Sequence, residues 1–227
     1  VETKEIWSES NSDFRHYILC QNRETLLYLA NLGCIELNPW NSRTGSLEYP
    51  DYVILDLDPN GRPFEDLIKV AREVREVLAM ACDRFCLKTS GKTGLHIVLP
   101  LDATYTYDEI RMFSRLIMQI VHQMIPDTTS TIRTPGKRKG KIYLDYLQNR
   151  FGQTLACAYS LRPFPQAPVS TPIEWHELRT GFKTDNFNIK TISKRIKEKG
   201  DLWKPILGKG IDLREAITRL QRELGKK

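Results

Sequence analysis

Two aspartates one residue apart close the apolar run Val53-Ile54-Leu55-Asp56-Leu57-Asp58-Pro59-Asn60-Gly61. Side chains at i and i+2 of a strand share a face, so Asp56 and Asp58 point together. Like charges at that spacing repel unless a cation lies between them, and a divalent metal is the natural partner of paired carboxylates. The competing reading makes Asp58 the first residue of an Asp-Pro-Asn-Gly turn and gives Asp56 a backbone amide. A third carboxylate, Asp145, stands in the apolar run Lys141-Ile142-Tyr143-Leu144-Asp145-Tyr146-Leu147. An isolated buried charge is costly, so Asp145 needs either a shared metal or a salt bridge to Lys141 or Arg150. Three strand-borne aspartates suit two Mg²⁺ or Mn²⁺ ions about 4 Å apart, the arrangement that activates a 3′-hydroxyl and stabilises a leaving pyrophosphate. Clustered aspartates also serve metal-dependent nucleases and phosphatases.

The segment Lys88-Thr89-Ser90-Gly91-Lys92-Thr93-Gly94-Leu95-His96 collects what a triphosphate requires: small residues that expose amides, a hydroxyl, two lysines and an imidazole. Gly-Lys-Thr occurs in it, but the spacer of a P-loop is missing and a strand follows, so the likeness to that motif is superficial. His96 is either a ligand-facing imidazole or a satisfied core residue. Arg133, Lys137, Arg138, Lys139 and Lys141 form a basic, Gly-containing loop suited to nucleic-acid phosphates, or equally to a solvated tip. Residues 183–199 give a second basic region, and Arg162 alone carries no specific signal.

The elements that must position these groups are legible from periodicity. Helices are expected over 22–32, which opens on Asn22 and stops at Gly33, and over 65–81, with Leu67, Val70, Ala71, Val74, Val77, Leu78 and Ala81 on one stripe. Thr106 with Glu109 and Asp212 with Glu215 form capping boxes. The first opens a helix burying Ile110, Phe113, Ile117, Ile120, Val121 and Met124, the second one burying Leu213, Ala216, Ile217, Leu220 and Leu224. Strands are expected over 52–57, 85–89, 95–99, 142–147 and 154–159, with residues 90–94 as a hairpin turn. Residues 163–172, with four prolines, suggest an extended strap or linker. Strands followed now by a helix and now by another strand indicate an α+β fold, mixed or antiparallel sheets flanked by helices, in one domain over 1–227 apart from a trailing Gly-Lys-Lys end.

Composition narrows the partners. The 34 Lys and Arg outnumber 28 Asp and Glu, and the net charge of +6 favours a polyanion such as nucleic acid. No apolar run approaches the roughly 20 residues of a membrane span, so no membrane partner and a cytoplasmic, nucleoid-associated location are expected. The five scattered cysteines lack paired metal-site spacing and are expected to be reduced and mostly buried.

Taken in order, the Asp-Leu-Asp-Pro strand end, the Ser-Gly-Lys-Thr-Gly-Leu-His turn, the Tyr-Leu-Asp-Tyr strand and Tyr159-Ser160-Leu161-Arg162 resemble the polymerase domain of bacterial ligase D. That domain belongs to the archaeo-eukaryotic primase superfamily and serves non-homologous end joining. The likeness runs from about Tyr17 to Trp203. It implies a primase-polymerase catalytic core in which Asp56, Asp58 and Asp145 are the metal-binding catalytic residues for Mn²⁺ or Mg²⁺, two ions in all. Ser90, Lys92, His96 and Arg162 would bind the incoming nucleotide, NTP or dNTP, and Lys137, Arg138 and Lys139 would bind DNA. The implied substrates are DNA ends and gapped DNA, and the implied partners are Ku and a ligase module. Family members carry several dozen residues ahead of the point where this sequence starts, and these hold the DNA 5′-phosphate. Asn38 stands where the family has a histidine, and Phe164 and Gln166 where it has a basic residue and a glycine. These departures keep a non-catalytic DNA-end-binding or scaffold module open as the alternative.

Overall fold

A six-stranded sheet dominates the computed structural model, which describes residues 1–8 and 11–226. Ahead of that sheet, β1 (Thr3–Ser8) and β2 (Asp13–Ile18) form an antiparallel hairpin, followed by α1 (Arg23–Asn31), which Asn22 caps by accepting from the Thr25 amide. The sheet elements follow: β3 (Tyr52–Asp58), α2 (Phe64–Ala81), β4 (Cys86–Thr89), β5 (Leu95–Pro100) and α3 (Tyr107–Met124). Next come β6 (Thr129–Ser130), β7 (Ile142–Asp145), β8 (Pro172–Ile173), α4 (Ile192–Lys199) and α5 (Leu213–Leu224). The strands lie in the order β6-β7-β3-β5-β4-β8, antiparallel throughout except for the parallel pair β6 and β7.

Alternation along β3 divides the sheet into two unlike faces. Val53, Leu55 and Leu57 join the main core with α2, α3 and α5, which pack on that side. Ile54 and Val98 point the other way, into a smaller cluster closed by Ile206, Tyr52, Leu155 and Trp203. The helices explain the asymmetry. All seven stripe residues of α2 are buried, together with Ile68, and full burial of each such aliphatic side chain is worth about 1.5–3 kcal/mol. The opposite face carries only the small cluster near one end, which leaves the other end of β3 for polar side chains.

Several expectations need correction. No strand forms over 154–159; Thr154 makes a single bridge to Trp40, because the segment turns at 158–159 instead of running on beside a neighbour. The proline-rich strap is no loose linker: Val169, Ser170, Thr171 and Ile173 are buried and β8 joins the sheet edge. Met124, at the last turn of α3, is exposed, and of the cysteines only Cys82 is buried. The Thr106 capping box is complete in both directions, whereas Asp212 caps α5 by accepting from the Arg214 and Glu215 amides. Of the trailing Gly-Lys-Lys end, Lys227 lies outside the described residues.

The stripe makes a direct stability prediction. Leu78→Ala, at a fully buried position in the last turn of the α2 stripe, should lower unfolding free energy by about 2–5 kcal/mol in a denaturant titration. A loss below about 1 kcal/mol would mean that α2 does not pack as described.

Candidate active site

Four chemistry-bearing residues form one row across the sheet. Lys88 of β4 is the register partner of His96 of β5, His96 pairs with Asp56 of β3, and Asp56 pairs with Asp145 of β7. Register partners share a face, so all four side chains rise from the polar side. Asp58, two residues beyond Asp56, shares that face opposite Tyr143. The structure thus brings together the three carboxylates that the sequence singles out.

Each carboxylate has a different environment. The Asp56 side chain is only 17% exposed, and its Oδ1 lies 3.5 Å from His96 Nε2. Burial, then the adjacent Asp145 and Asp58 carboxylates, raise its pKa from 3.8 to about 7. Asp145 Oδ1 accepts from the Leu147 amide at 2.7 Å and from the Tyr143 hydroxyl at 3.2 Å. Its suggested salt-bridge partners are engaged elsewhere: Lys141 donates to the Pro126 carbonyl, and Arg150 to Leu147 O and Gln153 Oε1. Asp58 Oδ1 accepts from the Asn60 amide, as a turn-opening residue does, while Oδ2 lies 3.3 Å from Arg138 Nη1.

Among the described residues, no three Asp, Glu, His or Cys side chains converge as a ready-made metal cluster. The reason is visible: Arg138 draws one Asp58 oxygen aside, and Asp145 bends toward its own turn. The donor set nevertheless suits a hard divalent cation, because all its members are carboxylate oxygens and burial beside Asp145 and Asp58 disfavours the charged form of Asp56.

His96 supplies no compensating charge. Its side chain is 3% exposed, Nδ1 is buried without a partner, and burial followed by the charge of Lys88 holds the imidazole well below its usual range. It is therefore a neutral donor or acceptor. Lys88 is the residue that sequence reasoning underrated. Its ammonium is buried, donating to Ala156 O at 2.9 Å and Ser170 Oγ at 2.5 Å, and burial lowers its pKa to about 7. Its partners lie 68 and 82 residues away, so no local signal announces the contact.

The turn after β4 closes as a hairpin, with the Ser90 amide donating to Gly94 O. Ser90 Oγ accepts from the Lys92 and Gly94 amides at 3.1 and 2.9 Å, which orients the hydroxyl while leaving its own proton to donate. Gly91 has φ +74°, and a Cβ there would lie 2.6 Å from Arg162 Cγ and 2.8 Å from the Ser170 amide. Only glycine permits that approach. Arg162 is accordingly pressed against the turn, donating from Nη1 to Ser90 O at 3.2 Å, with Nε 3.0 Å from Glu36 Oε2. Asn38 donates to the other Glu36 oxygen, so a polar chain runs from Asn38 through Glu36 and Arg162 to Ser90. Lys92 is exposed, its ammonium 4.9 Å from the centre of the Phe164 ring.

The basic loop divides in two. Lys137 and Lys139 are exposed, whereas Arg138 turns inward, donating to Ile132 O and Arg133 O and lying 3.7 Å over the Tyr143 ring. Its guanidinium faces the carboxylates and not solvent.

Comparison with known proteins gives matches of both sequence and fold. The family model for the LigD primase-polymerase domain matches residues 1–203. The chain is 31% identical over 210 residues to the multifunctional non-homologous end joining protein LigD of Pseudomonas aeruginosa, covering 91% of this chain and 24% of that protein. It is 33% identical over 187 residues to the bifunctional non-homologous end joining protein LigD of Bacillus subtilis, covering 81% and 30%. The chain thus spans about a quarter to a third of these relatives. Among solved structures, the polymerase domain of Mycobacterium tuberculosis ligase D in complex with DNA superposes with a TM-score of 0.82 at 25% identity, covering 92% of this chain and 75% of that one. None of the described helices is long and apolar enough to cross a membrane.

The raised Asp56 pKa has a measurable consequence. Between about pH 4 and 7 the folded chain binds this proton more tightly than the unfolded chain, so the associated stability is complete below about pH 4 and is lost as pH rises through about 7. Lys88, lowered to about 7, titrates in the opposite sense above that pH and largely cancels when variant and parent are compared at one pH. Asp56→Asn mimics the protonated form. It should match the parent near pH 4 and, in metal-free buffer, exceed it near pH 8 by on the order of 2–4 kcal/mol. Denaturation midpoints at the two pH values check this, and equal stability near pH 8 would contradict the crowding described.

Proposed function

The chain belongs to the LigD primase-polymerase family, and from that premise we propose that it adds nucleotides to a primer 3′-hydroxyl at DNA ends or gaps during non-homologous end joining. The observation that carries this reading is the register itself. Asp56, Asp58 and Asp145 share one sheet face, and the Ser90-to-Gly94 turn leaves the end of β4 beside that row.

In the proposed mechanism, Asp56, Asp58 and Asp145 would hold two divalent ions, Mn²⁺ or Mg²⁺. When bound, such ions supply Lewis-acid activation of the attacking hydroxyl and offset charge on the leaving pyrophosphate. Ser90 presents its free hydroxyl proton and Lys92 its ammonium to the triphosphate, and Arg162 fixes the backbone of the turn by donating to Ser90 O. His96, kept neutral by burial, orients Asp56 through Nε2 without neutralising it. Arg138 must yield Asp58 before that carboxylate can serve a metal, since its guanidinium lies against Oδ2. Lys137 and Lys139 are free to meet backbone phosphates, which give affinity that falls with salt. Residues 1–227 act as one catalytic unit, with Ku and a ligase module as partners in the repair process.

Single-nucleotide extension of a gapped duplex bearing a 5′-phosphate, with Mn²⁺ and each ribonucleotide, tests the reading. Templated addition should be lost in Asp56→Ala by at least about 10²–10³-fold, while DNA binding persists and weakens with salt. Unchanged addition in that variant would overturn the assignment. Release of mononucleotides would indicate a nuclease, and salt-sensitive binding without any addition a DNA-end-binding module.

A further inference from the structure

The β3–β7 ladder that aligns Asp56 with Asp145 is short. It holds only three register pairs, Asp58 with Tyr143, Leu57 with Leu144 and Asp56 with Asp145, and the carboxylate pair is the last of them. Beyond it β7 ends and the chain turns, with the Leu147 amide donating to Asp145 Oδ1. A ladder end opens readily, and two adjacent carboxylates, one of them buried, push it apart. Something must hold that end closed.

Asn149 stands at that point. Its side chain is fully buried, Oδ1 accepts from the Ile54 amide at 2.8 Å, and Nδ2 donates to Ile54 O at 2.6 Å. Exchanging both bonds with one residue is what a strand neighbour does in a hydrogen-bonded antiparallel pair. The side-chain amide thus stands in for the next rung of the ladder, two residues before Asp56 on the same strand. Its orientation is fixed from two further sides. Nδ2 also reaches Ser114 Oγ of α3 at 3.0 Å and Tyr146 O at 3.2 Å, and Ser114 is itself anchored to the Ile110 carbonyl. The Asn149 amide donates to Tyr146 O as well, closing the turn that follows Asp145.

We propose that Asn149 is a positioning residue for metal binding: its amide completes the β3–β7 ladder and keeps Asp145 in register opposite Asp56. The proposal rests on the two-metal reading given above. It distinguishes Asn149 from an ordinary buried amide, because the backbone it clamps belongs to the strand that carries Asp56 and the turn it closes belongs to Asp145. Asparagine alone offers an acceptor and a donor at this length; Asp lacks the donor, and Gln places its amide one methylene too far.

The test is Mn²⁺ binding to the whole chain, followed by loss of the free-ion paramagnetic resonance signal, in the parent, Asn149→Ala, Asn149→Asp and Leu220→Ala. Leu220 lies in the α5 core, away from the carboxylates, and its variant controls for general destabilisation. Amide hydrogen exchange at Ile54 and Leu147 reports the ladder end directly. The expected result is at least a tenfold weaker Mn²⁺ affinity in each Asn149 variant and faster exchange at both amides in Asn149→Ala, with parental affinity in Leu220→Ala at a comparable loss of thermal stability. Parental Mn²⁺ affinity in a folded Asn149→Ala protein would overturn the proposal, as would equal weakening in Leu220→Ala. Should Asn149→Ala fail to fold, the same comparison falls to Asn149→Asp, which retains the bond from Ile54. No Mn²⁺ binding by the parent, or binding indifferent to Asp56→Ala, removes the two-metal reading itself and the proposal with it.

Discussion

Asp56 and Asp145 face each other at the end of a three-pair ladder, with the Asp56 side chain largely withdrawn from water. Their repulsion, with Asp58 close by, is the constraint to which the surrounding residues answer. Arg138 lies against Asp58, the Leu147 amide and Tyr143 hydroxyl serve Asp145, and Asp56, with a neutral imidazole, the Gln148 side chain and the Lys88 charge, keeps a raised pKa. Asp58 and Asp145 thus have polar partners of their own, while Asp56 carries most of the crowding. A divalent cation would answer all three at once, which is the physical content of the proposed chemistry.

The scaffold that imposes this constraint is asymmetric by design of its sequence. The helices α2 and α3 bury one face of the sheet in a continuous aliphatic core, so that the strands cannot shift register without exposing Val53, Leu55 and Leu57. With register fixed from behind, the polar face inherits its row, Lys88, His96, Asp56 and Asp145, as a matter of geometry. Buried lysine at one end of the row and crowded carboxylates at the other give the face opposite charge preferences within four strands. The Gly91 turn, which only a glycine can make against Arg162, places Ser90 and Lys92, the proposed triphosphate contacts, beside the carboxylates.

How much of this the sequence discloses depends on the range of the interaction. The α2 stripe and the Thr106 capping box are local patterns and are found where expected. The Asp-x-Asp strand end is equally local, and both of its readings hold in part, since Asp58 opens a turn while sharing a face with Asp56. The β1–β2 hairpin escapes notice because its mostly exposed strands lack an apolar alternation, and α4 because its residues include none that are buried. Long-range satisfaction is hardest to see. Lys88 reads as one more turn lysine until Ala156 and Ser170 are found around it, and Asn149 as a polar loop residue until Ile54 is found across from it. Arg138 looks like its lysine neighbours in a basic loop, and only its inward path to Asp58 sets it apart.

The central claim is that these carboxylates form a metal site when Arg138 gives way. Crystals of the chain soaked with Mn²⁺ and a non-hydrolysable ribonucleoside triphosphate, measured at the manganese absorption edge, address it most directly. The account predicts anomalous density between Asp56, Asp58 and Asp145, with the Arg138 guanidinium displaced from Asp58. Full nucleotide occupancy with no anomalous density among the three aspartates, and Arg138 still on Asp58, would contradict it.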